Sequence, residues 1–535
     1  MKPGAPVLVR MLTLFLLTAG SRCGVAAADY LGPVTNCLET LIQFGTDRYG
    51  TEHSPIFVSI LDVETRECPT NPAALDEAWR VLRRDRRNPA GANLLPELPM
   101  LKTMYLATEV TGDPGYGRAA DGCIGWYLGR LVDERGFFWW GWHRHYDVYA
   151  EKMKGHLGDP HEFHAIHDIP WGMLWQVNSN AVRREIEAVW QWHVIDKKTG
   201  EVNRHGDGQR GCDFAMAAGG YAVAFAFLYH QTGERVWFDR ARLLADYFWD
   251  RRDPKTDLIA DRPNAGLNRF DGSHFVTSIT AFYCRALLRC YELTGDARFR
   301  DQAVAYLKAY GRYAYDPATG KFWGSLKLDG TPVPGPRILM TNSTDKFATS
   351  SETEYWIYEP RGYLDLWQPY VAGYEHPIPT AQAYAYAALT TGDPELRQTA
   401  ERFGRWIKKE FPPRQCMTNA WYFGYSEDYA PQGTYAGFYG QTLSFFIQMY
   451  LLTGDPGQLA MARAVADEAV GKLYYKGLFR GHPAKPYYES LDGVGQLLYA
   501  LVELDRVTLD PKRALAEKSV PLHADGKATM PPDNW

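Results

Sequence analysis

The chain has 535 residues, 46% hydrophobic and 23% charged, a globular balance that excludes a disordered or fibrous protein. Lys plus Arg (58) against Asp plus Glu (63) gives a net charge of −5 with no basic block, which argues against a nucleic-acid partner. Aromatic residues reach 14%, with 17 Trp and 34 Tyr, and such side chains suit a core whose rim meets a polar ligand.

Residues 1–28 read as a secretory signal. Lys2 and Arg10 come first, a short apolar run spans Met11 to Ala19, and Ala26-Ala27-Ala28 closes the segment before Asp29. The run is too short to span a bilayer, and no later segment approaches that length. Cleavage removes Lys2, Arg10 and Arg22 and takes the net charge from −5 to −8. The expected product is exported, secreted or periplasmic, with no membrane span. Of the cysteines, Cys37, Cys68, Cys123, Cys212, Cys284, Cys290 and Cys416 remain after cleavage, an odd set at wide spacing. They read mostly as buried small hydrophobes, with at most one or two bridges.

A first helix is expected over Val34–Phe44. A short turn motif then recurs after apolar runs: Thr111-Gly112-Asp113, Thr232-Gly233-Glu234, Thr294-Gly295-Asp296, Thr391-Gly392-Asp393 and Thr453-Gly454-Asp455. The glycines stand 121, 62, 97 and 62 residues apart, so a unit of 62 explains two gaps directly. The first gap is nearly two units, which places a sixth turn at Val177-Asn178-Ser179-Asn180. The gap of 97 is one unit plus an insertion. Gly closes the preceding helix in a left-handed conformation, and the following acid caps the next helix. A second connector alternates with it, in Asp196 to Gly200, Asp253 to Asp257 and Asp316 to Gly320.

The helix after each T-G-D turn is amphipathic, as in Phe299, Ala303, Tyr306, Leu307 and Tyr310, which marks an outer helix. The helix before each turn is apolar on most sides: Gly219–Tyr229, Phe275–Tyr291, Pro379–Leu389 and Tyr435–Leu452. The predicted fold is all-α, an (α/α)6 toroid of helical hairpins over residues 29–510. Helices at Val34–Phe44 and Leu491–Leu504 could pair as a seventh hairpin that closes the ring. Residues 321–373 are expected as a loop insertion laid over one mouth. Its Tyr355, Trp356, Tyr358, Trp367 and Tyr370 serve either as a stacking wall for sugar or as packing onto the rim. Residues 511–535 are expected as a polar tail.

Long loops lead into the inner helices at the end opposite the T-G-D turns, and such loops carry function. They hold Trp142, His143 and His145; His205, Arg210 and Asp213; Arg269, Asp271 and His274; Tyr374, Glu375 and His376; Asp428 and Tyr435; and Tyr488 and Glu489. Taken singly, the acids read as helix caps and the aromatics as packing. Taken together, six such segments point to one cavity. Six histidines cluster between His143 and His167, with His161, His164 and His167 at spacings of three. Hydrogen-bonded loop histidines are preferred there to a metal site.

Two carbohydrate chemistries fit this inventory. A lyase needs a base, a cation for the uronate carboxylate and a proton donor for the leaving oxygen. The catalytic candidates His274, Arg269, Asp271, Tyr374, Glu375 and His376 cover those roles. Trp142, His143, His145, His205, Arg210, Asp213, Asp428, Tyr435, Tyr488 and Glu489 are the candidate substrate contacts. A glycosidase instead needs a carboxyl pair at a defined separation. Neither chemistry requires a cofactor from this inventory, and a divalent metal stays an open alternative. The repeated T-G-D hairpins, the signal and the aromatic rim resemble the secreted α/α-toroid carbohydrate enzymes, namely toroidal polysaccharide lyases and six-hairpin glycosidases. That resemblance implies a sugar substrate and carries over no catalytic residue. The expected function is cleavage of a polysaccharide or oligosaccharide, with β-elimination on a uronate favoured. Hydrolysis is the alternative, and a non-catalytic sugar-binding protein is the third reading.

Overall fold

The computed structural model describes residues 29–70, 90–141, 144–155, 169–205, 208–264, 273–334, 362–367, 376–413 and 433–512. The five T-G-D segments form one repeated hairpin with the same bonds each time. In Thr391-Gly392-Asp393 the Thr391 hydroxyl donates to Ala387 O (2.6 Å) and accepts from the Asp393 N–H (3.2 Å). Thr111, Thr232, Thr294 and Thr453 repeat the pattern. Gly392 has φ 71°, and the other four glycines lie between 70° and 77°, the left-handed region that ends a helix. The acid caps the next helix: Asp393 accepts from the N–H groups of Glu395 and Leu396. Glu234 departs from this, giving up the cap for a two-bonded pair with Arg183.

These turns join α2 (Leu94–Thr111) to α3 (Pro114–Arg130), α5 (Ala215–Thr232) to α6 (Arg235–Trp249), and α7 (Cys284–Thr294) to α8 (Ala297–Tyr313). They also join α9 (Pro377–Thr391) to α10 (Pro394–Glu410), and α11 (Ala436–Thr453) to α12 (Pro456–Leu473). The sixth turn is where the repeat spacing places it. α4 (Trp171–Ala188) is two limbs broken at Asn178, whose φ of −152° leaves the helix and whose side chain caps the Ala181 N–H (3.0 Å). α1 (Leu31–Thr40) packs on α13 (Val494–Leu509), the pairing expected for a seventh hairpin. α1 starts three residues before the expected Val34 and ends in a π turn, Leu41–Gly45.

The inner helices α5, α7, α9, α11, α13 and α2 pack side by side in that order. α4 bridges α5 to α3 and so closes the ring of hairpins. The inner helices run parallel. His230 Nδ1 lies 3.1 Å from Leu293 O, and Arg506 pairs with Glu109, so the T-G-D ends meet their neighbours. Two glycines within inner helices allow close approaches between them. A Cβ on Gly440 would lie 2.6 Å from Leu497 N, and one on Gly495 would lie 2.4 Å from Met100 N. The inner helices are buried nearly all round. Leu443, Phe445, Phe446 and Met449 of α11 are fully buried, each contributing roughly 1.5–3 kcal/mol. The described cysteines are buried and unbridged, as small hydrophobes; Cys416 lies outside the described residues.

The connectors after the outer helices are tight turns, most of them between short antiparallel strands. Val194–Asp196 pairs with Glu201–Val202, Tyr315–Asp316 with Lys321–Phe322, and Tyr474–Tyr475 with Leu478–Phe479. The repeated Asp makes the turn by accepting from backbone N–H groups ahead of it, as Asp196 does from Lys198 and Thr199. The insertion begins as such a hairpin. Ser325–Leu326 then pairs with Phe275–Val276, just before α7. Trp367 is buried, and its Nε1 donates to Glu410 O (3.1 Å) on α10, so this aromatic packs the insertion against an outer helix. Tyr355, Trp356, Tyr358 and Tyr370 lie outside the described residues. Among the described residues no helix is long and apolar enough to cross a membrane.

Candidate active site

The segments leading into the inner helices are tied into a nearly continuous band by backbone bonds. Ala215 N–H donates to Asp261 O (2.9 Å) and Asp261 N–H to His274 O (3.0 Å). His376 N–H donates to Thr277 Oγ1 (2.9 Å). Ala436 N–H donates to Gly481 O, Gly481 N–H to Tyr487 O, Ser490 N–H to Ser59 O and Ser59 N–H to Gly91 O. Gly91–Ala92 pairs in turn with Tyr146–Asp147. The six segments singled out in the sequence therefore belong to one face, wherever they are described. Arg269, Asp271, Tyr374, Glu375, Trp142, His143 and Asp428 lie outside the described residues.

Two clusters of buried polar groups lie in this band. At the head of α5, the Tyr247 hydroxyl donates to Asp213 Oδ2 (2.6 Å), which also accepts from the Asn264 N–H (3.0 Å). Asp261 accepts from the Ser278 hydroxyl (2.7 Å). Burial raises both carboxyls, Asp261 to about 6. Beside them Arg210 pairs with buried Glu201, which also takes a bond from Asn264 Nδ2 (2.6 Å), and Arg204 Nε donates to His205 Nε2 (3.1 Å). The second cluster sits between α11 and α13. The Lys485 ammonium donates to Glu489 Oε2 (3.1 Å) and to Asp492 Oδ2 (2.8 Å), with all three side chains buried. Lys485 also lies 5.3 Å from the centroid of the Tyr435 ring, which packs against His482 at 4.6 Å. The Tyr488 hydroxyl donates to Glu97 Oε2 (2.8 Å), and burial pushes the Glu97 carboxyl up to about 8.

This geometry assigns tasks to the sequence candidates. Asp213, Tyr435, Tyr488 and Glu489 are at or near zero exposure, Tyr435 held by its ring contacts and the other three by the bonds just described. In this conformation they brace the loops around them. His145 lies in the strand Arg144–Asp147 against Gly91, and burial pulls its imidazole down to about 4. His376 heads α9, edge-on to Phe282 at 4.6 Å, and burial pulls it down to about 3, so it is neutral at neutral pH. Arg210 is the exposed member, with 69% of its side chain open to solvent.

Beneath the band a cavity of about 40 Å³ lies on the ring axis. It is lined by Pro99 and Lys102 of α2, Arg285 of α7 and Phe282 of the π turn before it, and Pro379 and Gln382 of α9. Gly440, Gln441 and Ser444 of α11 and Gln496 and Tyr499 of α13 complete it. Lys102 Nζ stands 4.3 Å from the Tyr499 ring centroid, and Gln441 Nε2 donates to Gln496 Oε1 (3.3 Å). Reading the inner helices as apolar on most sides passed over Lys102 and Arg285. The available signal was a charge on an otherwise apolar helix, since such residues are almost never buried without a task. Glu97 of α2 carried the same signal, whereas Lys485, Asp492 and Asp261 carried none, because lone charges between long helices are ordinary. Among the described residues no three His, Cys, Asp or Glu side chains gather as metal ligands. His156, His161, His164 and His167 of the histidine cluster lie, with His143, outside those residues.

One stretch of the chain, from before α2 to the head of α5, matches a protein-family model. Residues 78–217 match the family model of periplasmic pectate lyases. Over 118 residues the chain is 28% identical to the pectate disaccharide-lyase of Dickeya dadantii, 22% of this chain and 22% of that enzyme. The chain thus covers about a fifth of that relative's length. Solved structures align more broadly but loosely. A D-mannose isomerase matches at TM-score 0.44 and 10% identity, over 89% of this chain and 97% of its own. The cellobiose 2-epimerase from Bacillus thermoamylovorans gives 0.45 and 9%, over 89% and 99%. The unsaturated glucuronyl hydrolase from Bacillus sp. GL1 gives 0.39 and 14%, over 89% and 95%. Similarity of that degree bears on neither substrate nor reaction.

Proposed function

We propose that this protein is an exported carbohydrate-cleaving enzyme that breaks a uronate polymer by β-elimination at the loop-rich face of its helical ring. The observation that carries this reading is the pectate lyase match over residues 78–217, which includes the segments leading into α4 and α5. The name of that family and the signal-like residues 1–28 both support export to the periplasm or beyond. The catalytic groups proposed are those around the heads of α7 and α9: His274 as base, Arg269 as carboxylate clamp and Tyr374 as proton donor. Asp271 and Glu375 stand next to them in sequence. His376, neutral and enclosed, orients the α9 head; a base works best with a pKa near the working pH, far above about 3. No cofactor is part of the proposal.

Hydrolysis has one observation in its favour. Asp213 and Asp261 are both raised by burial and flank the head of α5, as a proton-carrying acid requires. Product analysis separates the two. Elimination from pectate leaves an unsaturated sugar that absorbs in the near ultraviolet and adds no water. Hydrolysis adds a water at each break and produces no such absorbance. Products without the unsaturated end would overturn the lyase reading. Pectate recovered uncut, yet bound, would favour a sugar-binding protein.

A further inference from the structure

Resting on the lyase reading, we propose that the axial cavity is a carboxylate pocket in which Lys102 and Arg285 hold the acid group of a uronate unit lying across the mouth. The two cations reach the cavity from α2 and α7, helices separated around the ring, and among the described residues no Asp or Glu lines it. The remaining polar lining, Gln382, Gln441, Ser444 and Gln496, is uncharged and can hydrogen-bond. Arg285 is 6% exposed, so its charge acts in a region shielded from water, where it is worth more than at the surface.

Size decides which part of a sugar enters. A water needs roughly 10–15 Å³ of such space, so about 40 Å³ takes three waters or the three heavy atoms of a carboxylate. A sugar ring does not fit and stays at the mouth. The lining comes from five inner helices, α2, α7, α9, α11 and α13, so the cavity is enclosed by the ring. Below Lys102, Glu503 bonds to Tyr499, and burial raises its carboxyl to about 7. Near neutral pH its negative charge is therefore incomplete, and it offsets Lys102 only in part.

The experiment compares binding of two probes to the full-length protein: a pectate fragment of defined length, and the same fragment with its carboxylates methyl-esterified. Wild type should bind the acid fragment about tenfold or more tightly than the ester. Arg285→Gln should remove that preference, leave binding of the ester unchanged and raise KM on pectate, with Arg285→Lys restoring part of it. Lys102→Met, at a half-buried site, gives the same readout if Arg285→Gln does not fold. Equal binding of acid and ester by wild type overturns the pocket, as does an unchanged preference in both folded variants. The two proposals fail separately. Unsaturated product with unaltered variant kinetics removes the pocket and keeps the lyase. Cation-dependent binding of the acid fragment without unsaturated product keeps the pocket and removes the lyase.

Discussion

Asp261 shows how a single buried carboxyl couples this site to pH. It ionises near 4 in the unfolded chain and near 6 in the fold, because burial disfavours the charge. The folded state therefore binds more protons between those values, and stability falls as pH rises from about 4 to about 6. Asp261→Asn should remove that slope, worth up to about 3 kcal/mol, as read by urea unfolding at several pH values. An unchanged slope would place the titration elsewhere. Lys485 carries the opposite expectation. Lys485→Met strands Glu489 and Asp492 in the interior and should cost about 3–5 kcal/mol in the same assay. His274 bears on chemistry. His274→Gln should fold like wild type and lose roughly 10²-fold in turnover. Near-wild-type turnover would take His274 out of the mechanism.

At the scale of elements, the T-G-D hairpin and the break at Asn178 solve one problem with different atoms. The threonine hydroxyl of a T-G-D turn satisfies a carbonyl behind it and an N–H ahead of it, while the acid caps the next helix. Asn178 has no such threonine and caps Ala181 alone. Thr391→Val keeps the shape and removes both hydroxyl bonds, and Asn178→Ala removes the cap. Each should cost about 1 kcal/mol in denaturant titration. A loss well below that from Thr391→Val would mean that glycine and the acid suffice for the turn. The recurrence of Thr, Gly and an acid was plain in the sequence. The double role of the threonine was not, because it depends on where helix carbonyls point.

For the whole molecule, closure is the main mechanical feature. α1 packs on α13, and the Tyr30 hydroxyl donates to Asp467 of α12 (2.8 Å), so the first described helix locks the last hairpins. Leu38 of α1 is fully buried in that joint. Leu38→Ala should cost about 2–5 kcal/mol, and calorimetry should show one transition moved to lower temperature. Loss of α1 from an otherwise intact ring, seen as a separate early transition, would show that closure is local.

Periodicity in the sequence determined the helical ring, the number of turns and the face on which the long loops gather. Those features follow from local rules: glycine in a left-handed turn, an acid at a helix start, and apolar spacing that separates inner helices from outer ones. The same local signals located Asn178 without a matching motif. Only the tertiary structure decided which polar residues are buried and what they bond to. Asp213, Tyr488 and Glu489 resemble exposed ligands in the sequence but are bonded under the band of loops. Lys102 and Arg285 stand 183 residues apart and look like lone charges on apolar helices, yet the ring turns both toward one axial cavity. Burial and convergence depend on which surfaces the closed ring brings together, and sequence spacing along one helix contains no record of its neighbours across the axis.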